Sequence, residues 1–571
     1  MNETALAIAP PPGEKLLDRT SGFLLFAFTC FCMSAYGLHA TASHDESQYI
    51  VASHLWPELA FYRDFIYSQT PYFAIGLSWW SDLIPVTSPY MAGRYFNLVW
   101  TLLFYTGLWI GCVYLARSWF LGAVAVFAVS GSVMISLAQS VLRNDMMGLA
   151  WGTLAVLCLL YLSRPRDAGW GACVAFLCGL CIAIAAGAKQ SYFFLFPVAA
   201  AFLLLQPPEF RVTRRIGLLI VPLGLGGLAG VLPILVFASE SWSNFVFSVA
   251  EFHATSHPVS AARGLGAQPK HAEWGWTVIR SAKFIIGGTT LFLLLVFLCG
   301  LALRVAIAGW RSLAGPDDRE GSGLLLAILG LAFALPLCLM PRPQHPQYLA
   351  GLLPFLALGF AAGAAELRGV MFAVGQRGVR LFRVGTVAVC AGILAVALWN
   401  PVDMWPTYKG AYFRMLRLAE APGEFWADRR MARIRENLRA PLCEEDREVR
   451  VATVLNVYAI DAGFNIFPEL AAAPFFFRVN DIYPAERLRV LNGLAPEEVY
   501  DWLEANDVKA ILNRSQIASE KQFADYAEDH GFEAVEIDLS DHQRAHVSNS
   551  KVIFFLAPGQ GALGCQASER Q

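Results

Sequence analysis

The sequence has 571 residues, of which 56% are hydrophobic and only 15% are charged. A soluble globular domain carries about 25% charged residues, so this composition excludes a soluble protein and indicates an integral membrane protein. The net charge of −2 gives no indication of a nucleic-acid partner or of a strongly basic membrane anchor.

Residues 1–20 form a short polar tail, which we expect to be cytoplasmic, and apolar runs follow it. A transmembrane helix needs about 20 apolar residues. The runs predict eleven spans, at 21–40, 96–115, 119–138, 146–162, 168–187, 191–206, 216–238, 284–303, 322–340, 347–364 and 384–399. These spans define a membrane domain at 21–400.

Charged residues become frequent from about residue 401 onward. Short runs rich in β-branched and aromatic residues, at 449–455, 508–512 and 551–556, alternate there with helical patterns at about 496–506 and 516–530. The sequence therefore predicts a separate α/β domain at 401–571.

The first connection, 41–95, contains an aromatic-rich run at 71–86. That run is short and includes Asp82, so it predicts a helix lying in the membrane interface rather than a span. With the N-terminus inside and this run not spanning, short loops with arginines such as Arg117 and Arg164 fall inside, as the positive-inside rule requires. Eleven spans then place residues 41–95 and the C-terminal domain on the exoplasmic side.

Asp45 and Glu46 directly follow the first span. An ionised side chain at the hydrocarbon boundary is costly, and its default interpretation is a functional site. Further isolated polar residues lie at exoplasmic helix ends. They are Arg143, Asp145, Lys189, Gln190, Arg342, His345, Gln347 and Tyr348. For Arg143 an ion pair with Asp145, and for both Arg143 and Lys189 snorkelling toward the headgroups, are the alternatives to a functional role.

Several of these motifs together resemble a known family. They are the Asp-Glu pair, Tyr62-Arg63-Asp64-Phe65, Gln69-x-Pro71-Tyr72, Arg143-Asn144-Asp145, Lys189-Gln190 and Gln347-Tyr348. In this order they resemble the GT-C glycosyltransferases, within them the protein O-mannosyltransferase and aminoarabinose-transferase branch (glycosyltransferase family 39/83-like). The resemblance covers roughly the first 365 residues. It implies a polytopic α-helical GT-C fold of about 11 transmembrane helices plus interfacial helices, with the C-terminal α/β domain on the exoplasmic side.

The resemblance also implies an inverting transfer of a sugar from a polyprenyl-phosphate donor to an exoplasmic acceptor. Such a reaction needs a carboxylate that receives the acceptor proton and cations that hold the departing phosphate. We expect Asp45 to be the base, with Glu46 orienting the acceptor or binding a metal, although the sequence leaves open which of the two takes the proton. We expect Lys189, Arg143 and Arg342 to contact the phosphate, with His345, Gln347 and Tyr348 as neutral donors. Further residues are expected to surround the substrates, namely His44, Tyr62, Arg63, Asp64, Tyr72, Asp145 and Gln190.

A divalent metal cofactor is left open. His253 and His257 are four residues apart and can share a helical face, as metal ligands do. No third ligand stands at a known spacing, so these two and Glu46 are only candidates.

The expected partners are the membrane, the prenyl-linked donor, and a lipid, glycan or protein acceptor. An envelope glycolipid such as lipopolysaccharide, or a glycan, is favoured, in a bacterial inner membrane with the active site facing the periplasm. Two other functions fit a polytopic protein. A transporter or lipid flippase predicts charges near the bilayer midplane and inverted repeats, and an O-antigen-type polymerase or ligase predicts a large late loop with arginines.

Overall fold

The computed structural model describes residues 12–40, 43–84, 86, 88–165, 167–263, 273–315, 318–342, 344–373, 427–442, 449–472, 475–477, 479–514, 520–537 and 552–559. Residues up to 373 form a helical region. Residues from 427 onward form a smaller region built around a β-sheet.

The helical region is a succession of long helices joined by short ones. They are α1 Pro12–His39, α2 His44–Leu55, α3 Tyr72–Leu83, α4 Pro89–Ala116, α5 Trp119–Ser130, α6 Val133–Ser140, α7 Asn144–Leu162, α8 Ala168–Ala188, α9 Leu195–Leu205, α10 Val212–Arg215, α11 Val221–Glu240, α12 Trp242–Val246, α13 Phe252–Ala262, α14 Trp274–Ile285, α15 Gly288–Ala308, α16 Arg319–Leu339 and α17 Leu353–Ala373. Short 3₁₀ segments at Gln190–Phe194 and Pro346–Leu352 lead into α9 and α17.

The chain is a multi-pass membrane protein. Eight helical stretches in the described residues are long and apolar enough to cross a bilayer, and the bent pair α5–α6 makes a ninth. The shorter apolar stretch Gln190–Leu205 coincides with one further predicted span. Ten of the eleven predicted spans thus correspond to apolar helices. The eleventh, 384–399, lies outside the described residues and stays a prediction.

One of the predicted spans is bent in the structure. The predicted span 119–138 is bent by 79° between α5 and α6, at Gly131 and Ser132. There the Ser132 hydroxyl accepts a hydrogen bond from the Met134 amide (3.3 Å) and begins a new helix.

Helix α3 has 12 residues, a length of about 18 Å. It is too short to cross a bilayer, as the sequence predicts for 71–86.

Polar contacts collect at the two ends of the helix bundle. At one end Arg304 pairs with Glu366 (2.5 Å) near the end of α17, and Asp18 accepts the Ser118 hydroxyl (2.5 Å) at the start of α5. The opposite end holds the end of α1, the start of α4, the start of α7 and the end of α8. That opposite end carries the site described below.

The second region is an α/β domain. Its strands are β1 Arg450–Thr453, β2 Asn465–Ile466, β3 Ala510–Arg514, β4 Glu533–Ile537 and β5 Val552–Leu556, and its helices include α18 Ala427–Arg439, α19 Asn456–Asp461, α20 Ala485–Val490, α21 Val499–Ala505 and α22 Lys521–Asp529. The sheet order is β2-β1-β3-β5-β4, in which β2, β1 and β3 are parallel and β5 is antiparallel to both neighbours. The three strands and two helices that the sequence predicts correspond to β1, β3, β5, α21 and α22.

This domain packs on α2 and on the connection that follows it. Tyr49 and Phe65 of the helical region belong to one buried apolar cluster with Ile460 and Phe554 of the domain. The domain is therefore seated on the end of the bundle that carries Asp45 and Glu46.

Candidate active site

Asp45 lies in the first turn of the short helix α2, whose start is fixed by a local capping motif. Ser43 and Glu46 form a capping box, in which the Ser43 amide donates to Glu46 Oε2 (2.7 Å) and the Asp45 amide donates to Ser43 Oγ (3.3 Å). A carboxylate in a first helical turn also benefits from the helix dipole. The local sequence thus fixes both carboxylates at the start of α2.

Glu46 is buried against Arg94. Arg94 Nε and Nη2 donate to the two Glu46 oxygens at 2.6 and 2.8 Å, and the Leu142 amide donates to Oε1 at 2.9 Å. The remaining Arg94 nitrogen Nη1 donates to the carbonyls of Gly37 (2.6 Å) and Ser140. Together with the Ser43 amide, four N–H groups occupy the Glu46 carboxylate, and this network ties α1, α2, α4 and the α6–α7 junction together.

Asp45 begins a different arrangement, a row of four alternating charges that we call the charge chain: Asp45, Arg143, Asp145 and Lys189. Arg143 donates from Nη1 to Asp45 Oδ2 and from Nε to Asp145 Oδ2 (2.9 Å), and Lys189 Nζ donates to Asp145 Oδ1. The Asp145 side chain is 0% exposed, whereas those of Asp45 and Lys189 are 15% and 12% exposed. The chain therefore has a buried centre and two accessible ends.

Amide groups lie beside the charge chain and fix its backbone. Asn144 accepts the Tyr49 hydroxyl (2.9 Å) and donates to Gln69 Oε1 (3.0 Å) and to the Ala188 carbonyl (2.9 Å). Asn97 donates to the Val141 carbonyl (2.9 Å). These bonds hold the start of α7 against the end of α8, which places Asp145 next to Lys189.

Aromatic and imidazole rings continue the site beyond Lys189. Its ammonium lies 5.7 Å from the centre of the Tyr348 ring, and the His345 ring meets the Tyr348 ring edge-on at 5.6 Å. Gln347 is buried in the same turn. The side-chain oxygen Oε1 of Gln190 is buried, and it has no hydrogen-bond partner among the residues that the structure describes.

Burial changes the pKa of two basic side chains at the site, Lys189 and His253, which lie outside the membrane spans. It lowers the pKa of Lys189, against the opposing effect of the Asp145 charge. It also lowers the pKa of His253, whose Nε2 donates to the Ser68 carbonyl (2.5 Å) and which lies near the Lys189 charge. The imidazole therefore favours its neutral form.

Other residues expected at the site make contacts of their own. Arg342 lies 4.8 Å from the centre of the Trp274 ring. Arg63 pairs with Asp64 (2.9 Å) and Glu240 (3.1 Å) at the surface, so these charges are separate from the charge chain. Their roles toward a substrate stay predictions.

Two expected tyrosines bond to backbone carbonyls. The Tyr62 hydroxyl donates to the Gln69 carbonyl (2.8 Å), and the Tyr72 hydroxyl donates to the Gly230 carbonyl. The first bond lies within the connection 41–95, and the second joins that connection to α11. The side chain of His44 lies outside the described residues.

The three candidate metal ligands have other contacts or lie outside the part of the chain that the structure describes. Among the residues that the structure describes, no three His, Cys, Asp or Glu side chains are grouped so that they could hold a metal ion. The Glu46 oxygens are taken by N–H groups, and His253 donates to a carbonyl. The His257 side chain lies outside the described residues.

Five further residues complete the site although the sequence analysis gave them no role of their own: Arg94, Asn97, Asn144, Gln69 and Tyr49. Gln69 and Asn144 belong to motifs that carry the family resemblance, and Arg94 is a charge at the exoplasmic end of a predicted span. No comparable signal marks Asn97 or Tyr49 in the sequence.

No protein-family model matches the sequence, and no curated protein matches it. Among solved structures, ArnT from Cupriavidus metallidurans bound to undecaprenyl phosphate is similar, with a TM-score of 0.53 and 14% identity over 95% of this chain and 98% of that one. The same enzyme in the apo state gives a TM-score of 0.53 and 13% identity over 94% of this chain and 98% of that one. ArnT is an aminoarabinose transferase of the GT-C superfamily.

The chain has the GT-C fold. This confirms the fold class that the resemblance implies, including a C-terminal domain with a small sheet. The oligosaccharyltransferase of Archaeoglobus fulgidus is a further neighbour, with a TM-score of 0.46 and 12% identity over 86% of this chain and 69% of that one. In this fold, Asp45 and Lys189 lie at the end of the helix bundle on which the C-terminal domain is seated.

Proposed function

We propose that the chain is an inverting glycosyltransferase that moves a sugar from a polyprenyl-phosphate donor to an acceptor hydroxyl. The observation that carries the proposal is the charge chain. An accessible carboxylate and an accessible ammonium lie at the two ends of one buried ionic row, at the end of a membrane-helix bundle. The likeness to an ArnT structure that contains undecaprenyl phosphate supports this reading.

Lys189 and Arg143 suit the phosphate of the donor. An ammonium has three N–H donors and a guanidinium has five, and the contacts of Lys189 to Asp145 and of Arg143 to its two carboxylates leave N–H groups for a phosphate. Both cations stabilise the negative charge that grows on the phosphate as it leaves. Tyr348, His345 and Gln347 flank Lys189 as neutral groups.

Asp45 is the base that we assign. As the acceptor oxygen attacks the anomeric carbon, its proton passes to the Asp45 carboxylate, and the bond between that carbon and the phosphate oxygen breaks with its electron pair. The products are the glycosylated acceptor and free polyprenyl phosphate. Attack opposite the leaving phosphate inverts the anomeric centre.

Glu46 receives a structural role in this scheme. Its two oxygens accept four N–H groups, and its side chain is 0% exposed. A carboxylate in this position holds the start of α2 in place and does not reach a substrate. The expectation that Glu46 orients the acceptor or binds a metal therefore has less support than the expectation for Asp45.

We place the reaction on the exoplasmic face of a bacterial inner membrane. The charge chain lies at the end of the bundle opposite the Arg304–Glu366 pair, and the arginine-rich loops favour a cytoplasmic position for that other end. The prenyl chain then stays in the lipid while the sugar reaches Asp45. An envelope glycolipid, such as lipopolysaccharide, or a cell-wall glycan is the acceptor class we favour over a protein.

The test uses the purified full chain with a panel of prenyl-phosphate sugars and an envelope lipid extract. We expect release of free prenyl phosphate, together with a glycosylated product, from at least one donor. If no donor is consumed but a labelled prenyl lipid crosses the membrane of reconstituted vesicles, the protein is a flippase and the proposal is wrong.

A further inference from the structure

The C-terminal domain forms hydrogen bonds with α1 and α4, the membrane helices on either side of the first connection. Asp461, at the end of α19, accepts the Ser88 hydroxyl (2.5 Å) and the Tyr90 amide (3.3 Å) at the start of α4. Arg430 of α18 donates to the His39 carbonyl (2.6 Å) at the end of α1. The connection between these helices carries Asp45, so the domain fixes the chain where it leaves one helix and where it reaches the other.

Asp461 is itself held from within the domain. Arg435 donates to its side-chain Oδ2 (3.0 Å) and to its carbonyl (2.9 Å), and the Asp461 side chain is only 2% exposed. A buried carboxylate with a matched guanidinium and two further donors is a rigid contact. It therefore transmits the position of the domain to α4.

A short path of contacts leads from Asp461 to Asp45. The Tyr90 amide bonds to Asp461, and its ring lies 4.9 Å from the Arg94 guanidinium, one helical turn farther along α4. Arg94 then binds both oxygens of Glu46, the residue next to Asp45. Because each contact is buried, a shift at the start of α4 displaces the start of α2.

The parallel part of the sheet supports this reading of the domain. In open α/β sheets ligands bind beyond the carboxyl ends of parallel strands, where the strand order reverses. Here that edge lies between β1 and β3, and α19, which follows β1, contributes Val457 and Ile460 to the apolar cluster shared with α2. The edge that binds a ligand in other α/β domains therefore packs against α2 in this chain.

We propose that Asp461 is a positioning residue that holds Asp45 in place through α4, Arg94 and Glu46. The C-terminal domain is then part of the catalytic apparatus without contacting the reacting atoms. The catalytic consequence rests on the proposed function, whereas the mechanical link does not.

The test compares Asp461→Ala with Asp461→Asn in the purified full chain, by hydrogen exchange of backbone amides and by transfer kinetics. In Asp461→Ala we expect faster exchange at 43–55 and 88–100, unchanged exchange in the sheet, and a kcat lowered roughly 10–100-fold with little change in KM for the donor. Asp461→Asn can still accept from Ser88 and Tyr90, so it should lie between the alanine variant and the native chain. Glu498→Gln, which alters the surface pair with Arg489 in the same domain, should match the native chain.

Unchanged exchange at both segments in Asp461→Ala would overturn the link, whether or not the protein transfers sugar. Faster exchange with native kcat would overturn the positioning of Asp45. If the native chain consumes no donor, the proposed function fails and the exchange data alone decide on the link. If Asp461→Ala does not fold, Arg430→Met, which removes the contact to His39, is measured in the same way.

Discussion

Two adjacent acidic residues in this chain have opposite environments. Glu46 is enclosed by Arg94 and two backbone amides, whereas Asp45 faces Arg143 and remains 15% exposed. Neighbouring residues at a helix start point in different directions, so one carboxylate turns to the bundle and the other to the site. A proton acceptor must reach its substrate, and of these two carboxylates Asp45 is the exposed one.

The difference predicts opposite stability effects of neutralising the two acids. Glu46→Gln leaves the buried Arg94 charge uncompensated, a loss of about 3–5 kcal/mol for a broken buried pair. Asp45→Asn removes the charge of an accessible group and should lower stability much less. Thermal unfolding of both variants in the same detergent measures this, and equal unfolding temperatures would contradict the structural role of Glu46.

The buried ammonium of Lys189 should make donor binding depend on pH. Burial lowers its pKa, so the ammonium loses its proton at a lower pH than an exposed lysine does. Donor binding that needs the ammonium is present below that pKa and is lost as the pH rises through it. In Lys189→Arg the guanidinium keeps its proton to a much higher pH than an amine does, so the alkaline limb of kcat/KM should move to higher pH even if the rate falls. An unmoved limb would show that Lys189 does not set it.

At the scale of elements, α8 and α11 approach each other closely through glycines. A Cβ atom on Gly226 would lie 1.9 Å from the Phe176 carbonyl oxygen, and one on Gly179 would lie 1.9 Å from that of Leu223. Small residues that permit such an approach are a common basis of helix association in membranes. The end of α8, and with it Lys189, depends on this packing.

Gly226→Ala should therefore force the two helices apart and lower the unfolding temperature. Gly224 lies on the same helix two residues earlier, and a Cβ there meets nothing within 4 Å, so Gly224→Ala is the matched control and should be neutral. Thermal unfolding of the two variants decides. Equal loss in both, or no loss in Gly226→Ala, would contradict the close packing.

The sequence predicts elements well wherever apolar length decides the outcome. Ten spans and the short helix α3 follow from runs of apolar and aromatic residues, because the bilayer fixes how long a span must be. The bend between α5 and α6 could not be predicted in this way, because the run 119–138 has the length and the apolar content of an unbroken span. There a glycine and a capping serine decide the local course of the backbone.

The candidate site could be predicted only as single residues. Asp45, Arg143, Asp145 and Lys189 stand out because charges at helix ends are costly. Their pairing joins residues up to 98 positions apart, and no periodicity in the sequence reports such contacts. The different environments of Asp45 and Glu46 likewise depend on Arg94. Its contact with Glu46 exists only because α4 packs against α2 in the folded chain.

In the whole molecule, the C-terminal domain packs on the end of the membrane bundle that carries the charge chain. The bundle supplies the charge chain, and the domain covers α2 and fixes the start of α4. The likeness to ArnT extends over 95% of this chain, so it includes both parts. Under the proposed function, the bundle carries the reacting groups and the domain holds them in position.

The proposed role of Asp45 is tested by the release of free prenyl phosphate from a prenyl-phosphate sugar, compared between the native chain and Asp45→Asn. Loss of a positioned base lowers a rate by roughly 10²–10⁴-fold, so Asp45→Asn should release little prenyl phosphate while still binding the donor through Lys189. Asp82→Asn changes an exposed acid of the same connection and should retain native release. Native release and transfer in Asp45→Asn would contradict the assignment of Asp45 as the base.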